Sequence, residues 1–246
     1  MEHTIVIGAG SGIGARVAQR IARSGHSLLL HTGSNRRGLE SVADACRRAN
    51  ATVDLCVGDL GEAGTFDSIE GWLAEILAGA LCGVVFAAGY AKKSAISETD
   101  PEELAAAFQN MPVAFHRLVR SVEPKLMPVR GRIVCVSAFG PHRPRFFRYF
   151  STAPAKAALE AQVRLFAAEF APRGISCNAV VPGFIAKEAG RPSSLTASQW
   201  QEIVDDIPMS RLGTSDDIAA VVQFLLSVDA GYTTGQVLHV DGGLML

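Results

Sequence analysis

The sequence predicts an α/β fold: one doubly wound sheet of seven parallel strands with helices on both faces. Short apolar runs rich in β-branched residues recur along the chain, and helical apolar patterns fill the intervals between them. Strands that alternate with helices pair in parallel through right-handed crossovers. The chain of 246 residues is 48% apolar, which suits one large core, so we expect a single domain over residues 1–246. The seven predicted strands are 4–7, 27–31, 53–57, 83–88, 132–137, 176–181 and 237–240.

Composition excludes several classes of function. The formal net charge is −1, which argues against an extended surface for nucleic acid or for anionic membranes. Five cysteines lie far apart without the paired spacing of metal ligands, so we expect reduced thiols and no metal site. No apolar run has the length of a membrane span or the form of a signal peptide. We therefore expect a cytoplasmic protein.

A glycine-rich stretch follows the first predicted strand and opens the first predicted helix. Glycines let the backbone turn sharply, and the unpaired amides at a helix N-terminus attract a phosphate. This pattern predicts a dinucleotide site, although a glycine cluster alone is also compatible with a flexible turn. The candidate cofactor residues here are Gly8, Gly10, Ser11, Gly12, Ile13 and Gly14.

The residues after the second strand bear on the choice of cofactor. An acid that would hold a ribose 2′-hydroxyl is absent there, and its place is taken by Thr32. Ser34, Asn35 and Arg36, followed by Arg37, offer donors suited to a 2′-phosphate, which favours NADP(H) over NAD(H). The alternative is that the two arginines are solvated charges at the start of a helix.

Asp59 and Leu60 follow the third strand. The Asp59 carboxylate is placed to accept from an adenine amino group. A turn or a helix cap is the equally weighted alternative.

The chain resembles the short-chain dehydrogenase/reductase family over essentially its whole length, most closely the 3-oxoacyl-acyl-carrier-protein reductase branch. The matching positions are Gly8, Gly12, Gly14, Asp59, Asn110, Lys156, Asn178 with Pro182-Gly183, and Asp241-Gly242-Gly243. The resemblance implies a Rossmann-type fold, a nicotinamide dinucleotide and a homodimer or homotetramer built on the long fourth and fifth helices. It also implies further cofactor contacts at Ala88, Gly89, Lys156, Pro182, Gly183 and Ile185.

Two catalytic positions depart from the family pattern. Thr152 stands where the family has its proton-donating Tyr, four residues before Lys156, and Ala138 stands where it has its Ser. An aliphatic hydroxyl does not titrate in proteins as a phenol does. Ser137, one residue earlier, replaces the missing Ser only if the register slips by one. The candidate catalytic residues are Lys156, Asn110, Thr152, Ser137 and Tyr149.

The sequence is compatible with three functions. The preferred one is an NADP(H)-dependent oxidoreductase for a carbonyl or alcohol substrate, with the proton supplied by Tyr149, His142, Tyr90, Lys156 or a water. The second is a catalytically silent dinucleotide-binding subunit or regulator. The third is non-redox chemistry, such as dehydration or isomerisation, on the same fold.

Two loops are candidates for contact with the substrate. Residues 141–150 interleave three arginines with aromatic side chains, which suits an anionic or carrier-bound small molecule, or else a solvated loop or a subunit contact. Residues 187–206 have the composition of a substrate lid, and we expect Ser198 or a neighbour to cap the helix inside it.

Overall fold

The sheet follows the predicted architecture. The computed structural model describes residues 1–144, 148–186 and 196–246, and within these ranges seven parallel strands form one sheet in the order β3-β2-β1-β4-β5-β6-β7. The strands are β1 (Glu2–Ile7), β2 (His26–Thr32), β3 (Thr52–Val57), β4 (Leu81–Phe86), β5 (Arg132–Val136), β6 (Ser176–Pro182) and β7 (Val237–Val240). The strand order reverses direction between β1 and β4, and ligands of such sheets bind at this point, beyond the carboxyl ends of the strands.

Helices cover both faces of the sheet. They are α1 (Gly12–Ile21), α2 (Arg36–Arg48), α3 (Ala63–Ala74), α4 (Pro101–Phe108), α5 (Ala114–Val122), α6 (Thr152–Phe170), α7 (Ala197–Asp205) and α8 (Ser215–Leu226). Successive side chains of a strand point to opposite faces, so Ile5 and Ile7 of β1 pack into the core beneath α3 to α6. Val6 packs into the core beneath α1, α2 and α8. None of the described helices is long and apolar enough to cross a membrane.

The predicted long fourth helix is interrupted. A π-helical turn, Gln109–Val113, joins α4 to α5 and contains Pro112. Proline has no amide hydrogen and cannot continue the regular hydrogen-bond ladder, and single π turns are common at functional sites. Asn110 lies within this turn.

A third apolar cluster holds α7 over the same edge. Phe139, Phe184 and Ile207 are buried members of this cluster. Thr196 caps α7: its Oγ1 accepts from the Gln199 amide at 3.3 Å, and the Gln199 side chain accepts from the Thr196 amide at 2.9 Å. The cap expected at Ser198 or a neighbour is therefore Thr196. Residues 187–195 of the predicted lid lie outside the described residues.

Candidate cofactor and active site

A cavity of about 450 Å³ lies at the carboxyl ends of β1 to β5. Most residues predicted to hold a dinucleotide line it: Gly8, Gly10, Ser11, Ile13, Gly14, Thr32, Asp59, Leu60, Ala88 and Gly89. Asn110, predicted as a catalytic residue, also lines it. His31, Gly33, Ala87, Tyr90 and Val136 complete the lining. The glycine loop, the ends of four further strands and the π turn thus meet around one space.

The glycine loop leaves no room for side chains at its narrowest points. A Cβ on Gly14 would lie 2.2 Å from the carbonyl oxygen of Gly8, and one on Gly8 would lie 2.7 Å from the backbone of Ala87. Gly8 also has a φ of +85°, which L-residues rarely adopt. The loop therefore presses against β4 and exposes the N-terminus of α1 to the cavity. This cradle of backbone amides fits a pyrophosphate.

Asn35 supports the glycine loop from behind. Its Nδ2 donates to the Gly10 carbonyl at 2.7 Å, and its Oδ1 accepts from the Gly38 amide at 3.2 Å as the cap of α2. The oxygen and one N–H of the amide thus bond within the protein, and a second N–H donor remains. Ser34 and Arg36 are exposed beside the cavity and are not among the residues that line it.

His31 is a lining residue that the sequence did not single out. Its Nε2 donates to the Gly58 carbonyl at 2.9 Å, which leaves Nδ1 as an acceptor without a partner among the described residues. Burial lowers the pKa of His31, so the ring is neutral at physiological pH. Asp59 lies nearby, and its Oδ1 accepts from the Gly61 amide at 2.7 Å. Asp59 therefore shapes the turn after β3 and also lines the cavity.

Lys156 is buried beside the cavity wall. Its Nζ donates to the Val136 carbonyl at 2.8 Å and to the Ala88 carbonyl at 3.3 Å. An ammonium has three donors, so within the part of the chain that the structure describes one remains for a ligand. A Cβ on Gly89 would lie 2.7 Å from Nζ, and the φ of Gly89 is +139°. Burial lowers the pKa of Lys156, and the nearby Cys135 and Glu160 oppose this shift.

Asn110 enters the cavity from the π turn. Its Oδ1 is buried and has no hydrogen-bond partner among the described residues. A buried carbonyl without a donor carries a free-energy cost of about 1–3 kcal/mol. A ligand hydroxyl or a water in the cavity would supply that donor.

A smaller cavity of about 50 Å³ adjoins the first. Among its lining residues are Lys156, Thr152 and Ala138, together with the phenol rings of Tyr90 and Tyr149. Tyr90 lines both cavities. Thr152 begins α6 and is 2% exposed, and Pro154 is tolerated in the first turn of this helix. Burial raises the pKa of Tyr149 above its usual value of 10.0.

Ser137 faces away from both cavities. Its Oγ donates to Glu160 Oε1 at 2.5 Å and makes a longer contact of 3.4 Å with the Lys156 carbonyl. The same carboxylate oxygen accepts from His142 Nε2 at 3.0 Å. Ala138 lines the smaller cavity in the position expected of the family's Ser.

The remaining predicted cofactor residues lie at the end of β6. Gly183 and Phe184 line a separate cavity of about 230 Å³, Pro182 ends the strand, and Ile185 forms a bridge with Gly213. Gly12 begins α1 beside the first cavity without being part of its lining.

The aromatic and arginine-rich loop is partly anchored. Arg143 pairs with Asp206 at 2.6 Å and donates to the Leu244 carbonyl at 3.1 Å, which ties the loop to the end of α7. Arg148 is exposed. Residues 145–147 lie outside the described residues.

These features define a class of protein: a doubly wound α/β protein with a cavity at its glycine loop that suits a dinucleotide, with Asn110 in the lining and Lys156 buried beside the wall. The chain belongs to the short-chain dehydrogenase/reductase family, since a family model described as enoyl-(acyl carrier protein) reductase matches residues 8–245. The family and the reductases among its relatives support an oxidoreductase.

The chain is similar to several reductases. The chain is 31% identical to a 3-oxoacyl-[acyl-carrier-protein] reductase of Haemophilus influenzae, covering 98% of this chain and 97% of the relative. It is 31% identical to a 1-cyclohexenylcarbonyl-CoA reductase of Streptomyces collinus, covering 100% of this chain and 87% of the relative. The structure of YwfH, an NADPH-dependent reductase involved in bacilysin biosynthesis, superposes with a TM-score of 0.86 at 25% identity, covering 99% and 98% of the two chains.

Proposed function

We propose that the protein is an NADP(H)-dependent reductase of a carbonyl substrate whose proton donor has moved from position 152 to Tyr149. One observation carries this proposal. Lys156 lines the small cavity with Tyr149, while its ammonium bonds the carbonyl of Ala88 in the wall of the larger cavity. A lysine that joins a dinucleotide cavity to a phenol is suited to proton transfer near a nicotinamide.

Each part of the site has a separate task. The amides of the glycine loop hold the pyrophosphate, and Asp59 and His31 face the adenosine end. Lys156 orients the nicotinamide ribose, and the Asn110 Oδ1 accepts from a relay water. When bound, the cofactor supplies a hydride for the carbonyl carbon. Tyr149 donates its proton to the carbonyl oxygen, and Thr152 contributes a hydrogen bond at most.

The cofactor preference rests on charge. Arg36 lies exposed in the first turn of α2, and its pairing with Glu40 at 3.9 Å is loose, so its guanidinium is available to a 2′-phosphate. The NADPH dependence of the similar YwfH points the same way.

The substrate class follows from the relatives and the loop. Two relatives are named for thioester-linked acyl substrates. A carrier-bound or otherwise anionic ketone would find a cation in the exposed Arg148, which directly precedes Tyr149 of the smaller cavity.

Assembly and location complete the proposal. Val113 in the π turn and Leu165 on α6 expose large apolar side chains, which suits a homodimer or homotetramer through these helices. A sizing column tests this. The five free cysteines suit a reducing, cytoplasmic compartment.

The test is NADPH consumption with a panel of free ketones and 3-oxoacyl thioesters. Tyr149→Phe is expected to lower kcat about 10²-fold or more, in line with the usual contribution of general acid catalysis. Tyr232→Phe is the matched control, because Tyr232 is fully exposed. Full activity in Tyr149→Phe with loss in Tyr90→Phe would assign the proton to Tyr90 and overturn the assignment to Tyr149.

A silent dinucleotide-binding protein is the second candidate. The raised pKa of Tyr149 favours it, since burial makes this phenol a weaker acid. Tight NADPH binding without turnover in the wild type, with activity gained in Thr152→Tyr, would establish this candidate in place of the first.

A further inference from the structure

Glu160 is a buried carboxylate that the proposed reaction does not use directly. Its side chain is 5% exposed, and it lines neither of the two cavities of the site. Burying a carboxylate is costly unless donors satisfy it. Two do: the Ser137 hydroxyl at 2.5 Å and the His142 ring at 3.0 Å, both on Oε1.

The cluster is continuous with the lysine of the site. Glu160 lies one helical turn after Lys156 on the same face of α6. Ser137 directly follows Val136, whose carbonyl accepts from Lys156 Nζ at 2.8 Å. The carboxylate and the ammonium therefore hold two adjacent residues at the end of β5.

We propose that Glu160 is a positioning residue for Lys156. By binding Ser137, Glu160 fixes the end of β5 so that the Val136 carbonyl anchors the ammonium beside both cavities. By binding His142, it holds the start of the loop that carries Tyr149 against α6. The contribution to turnover rests on the proposed function, whereas the anchoring of Lys156 does not.

The negative charge of Glu160 also stabilises the protonated form of Lys156. Burial lowers the pKa of Lys156, while Cys135 on β5 and Glu160 on α6 raise it. Among the described residues, the titratable groups that face Glu160 are Lys156, His142 and Cys135. Beyond His142 lies His239, with ring centroids 4.7 Å apart, and then Asp241, whose Oδ2 is 3.8 Å from His239 Nδ1. Removing the Glu160 charge is therefore expected to lower the pKa of Lys156 further.

The test is an NMR titration of Lys156 in the cofactor-free protein, with side-chain-labelled lysine and the signal assigned through Lys156→Arg. Glu160→Gln, which keeps the shape and removes the charge, is expected to lower the Lys156 pKa. The matched control is Glu169→Gln, an exposed position on the same helix, which is expected to leave that pKa unchanged. Ser137→Ala breaks the tether and keeps the charge, so it is expected to shift the Lys156 Hε signals, and Ser137→Thr to restore them.

Turnover supplies the second readout. In Glu160→Gln we expect kcat to fall about 10-fold, which corresponds to the loss of one hydrogen bond to a charged group. The KM for NADPH should stay within about twofold of wild type. An unchanged Lys156 pKa in Glu160→Gln, or unchanged Lys156 signals in Ser137→Ala, would overturn the proposal. If the wild type turns over no carbonyl, the proposed reductase function fails, but the titration still decides whether Glu160 positions Lys156.

Discussion

The ammonium of Lys156 donates a hydrogen bond of 2.8 Å to the carbonyl of Val136, the last residue of β5. This bond joins β5 to α6, the helix that carries the lysine. A buried lysine held by carbonyl groups is stabilised by hydrogen bonds but remains desolvated. Its charge therefore weakens the fold even though its position serves the site.

That cost has a measurable pH dependence. Burial lowers the pKa of Lys156 below the value of 10.5 of an unperturbed lysine, so the unfolded chain binds this proton more tightly than the folded one. The free energy of unfolding of the wild type should therefore rise as pH passes upward through the window below 10.5. Lys156→Met lacks this contribution.

Urea unfolding of both proteins between pH 7 and pH 10 measures the effect. The stability of Lys156→Met relative to wild type should decline as pH rises, while the thiols with raised pKa values cancel in the difference. A difference that does not change with pH would contradict the burial of a charged lysine.

The glycine loop supplies a matched pair of substitutions. Gly14→Ala would place a Cβ 2.2 Å from the backbone oxygen of Gly8, whereas Gly12→Ala meets no atom within 4 Å and only strains a φ of +58°. We expect Gly12→Ala to lower the free energy of unfolding by about 1 kcal/mol. Gly14→Ala should lower the free energy of unfolding by about 1–3 kcal/mol or more. It should also abolish NADPH binding, because the loop must shift. Calorimetry and fluorescence titration measure both, and equal affinity in the two variants would rule out the close contact.

Asn35 is expected to stabilise two elements at once. Asn35→Ala removes the cap of α2 and the donor to Gly10, and should lower the free energy of unfolding by about 1–2 kcal/mol and weaken NADPH binding. Asn35→Asp keeps the capping oxygen and loses only the donor to Gly10. If Asn35→Asp retains wild-type NADPH affinity, the amide does not support the loop.

Cofactor selectivity should depend on Arg36. In Arg36→Gln the dissociation constant for NADPH is expected to rise about 10-fold, since a hydrogen bond between charged groups contributes about 1.5–3 kcal/mol. Affinity for NADH should stay unchanged, because NADH lacks the 2′-phosphate. Arg48→Gln, at the other end of the same helix, controls for net charge. Equal losses for both cofactors, or none, would remove Arg36 from the site.

The sheet was predictable because its signals are local. Each strand is a short apolar run, and Gly8 to Gly14 carry both the turn and the phosphate cradle in adjacent residues. The π turn at Asn110 was not predicted, because Pro112 changes the hydrogen-bond ladder without breaking the apolar period of the helix. Pro112 within the helical pattern was the one sign in the sequence that the helix is irregular here.

The polar contacts of the site were harder to predict. Glu160 and Ser137 are 23 residues apart, and only the packing of α6 on β5 brings them together. The sequence predicted His31 only as part of a buried strand. Its position in the cavity lining depends on the pairing of β2 with β3. Asn35 was predicted as a phosphate donor, and its bonds to Gly10 and to the Gly38 amide were not part of that prediction. Long-range pairing decides such contacts, and spacing along the chain does not record it.

Isotopic labelling follows the hydride from NADPH to the substrate. Wild-type protein is incubated with a ketone or a 3-oxoacyl thioester and with NADPH that carries deuterium at one or the other C4 position. The mass of the product alcohol is then measured by mass spectrometry. We expect one deuterium in the product from one of the two labelled cofactors, with product formation reduced about 10²-fold or more in Tyr149→Phe. NADPH binding without any deuterated product across the panel would contradict this expectation.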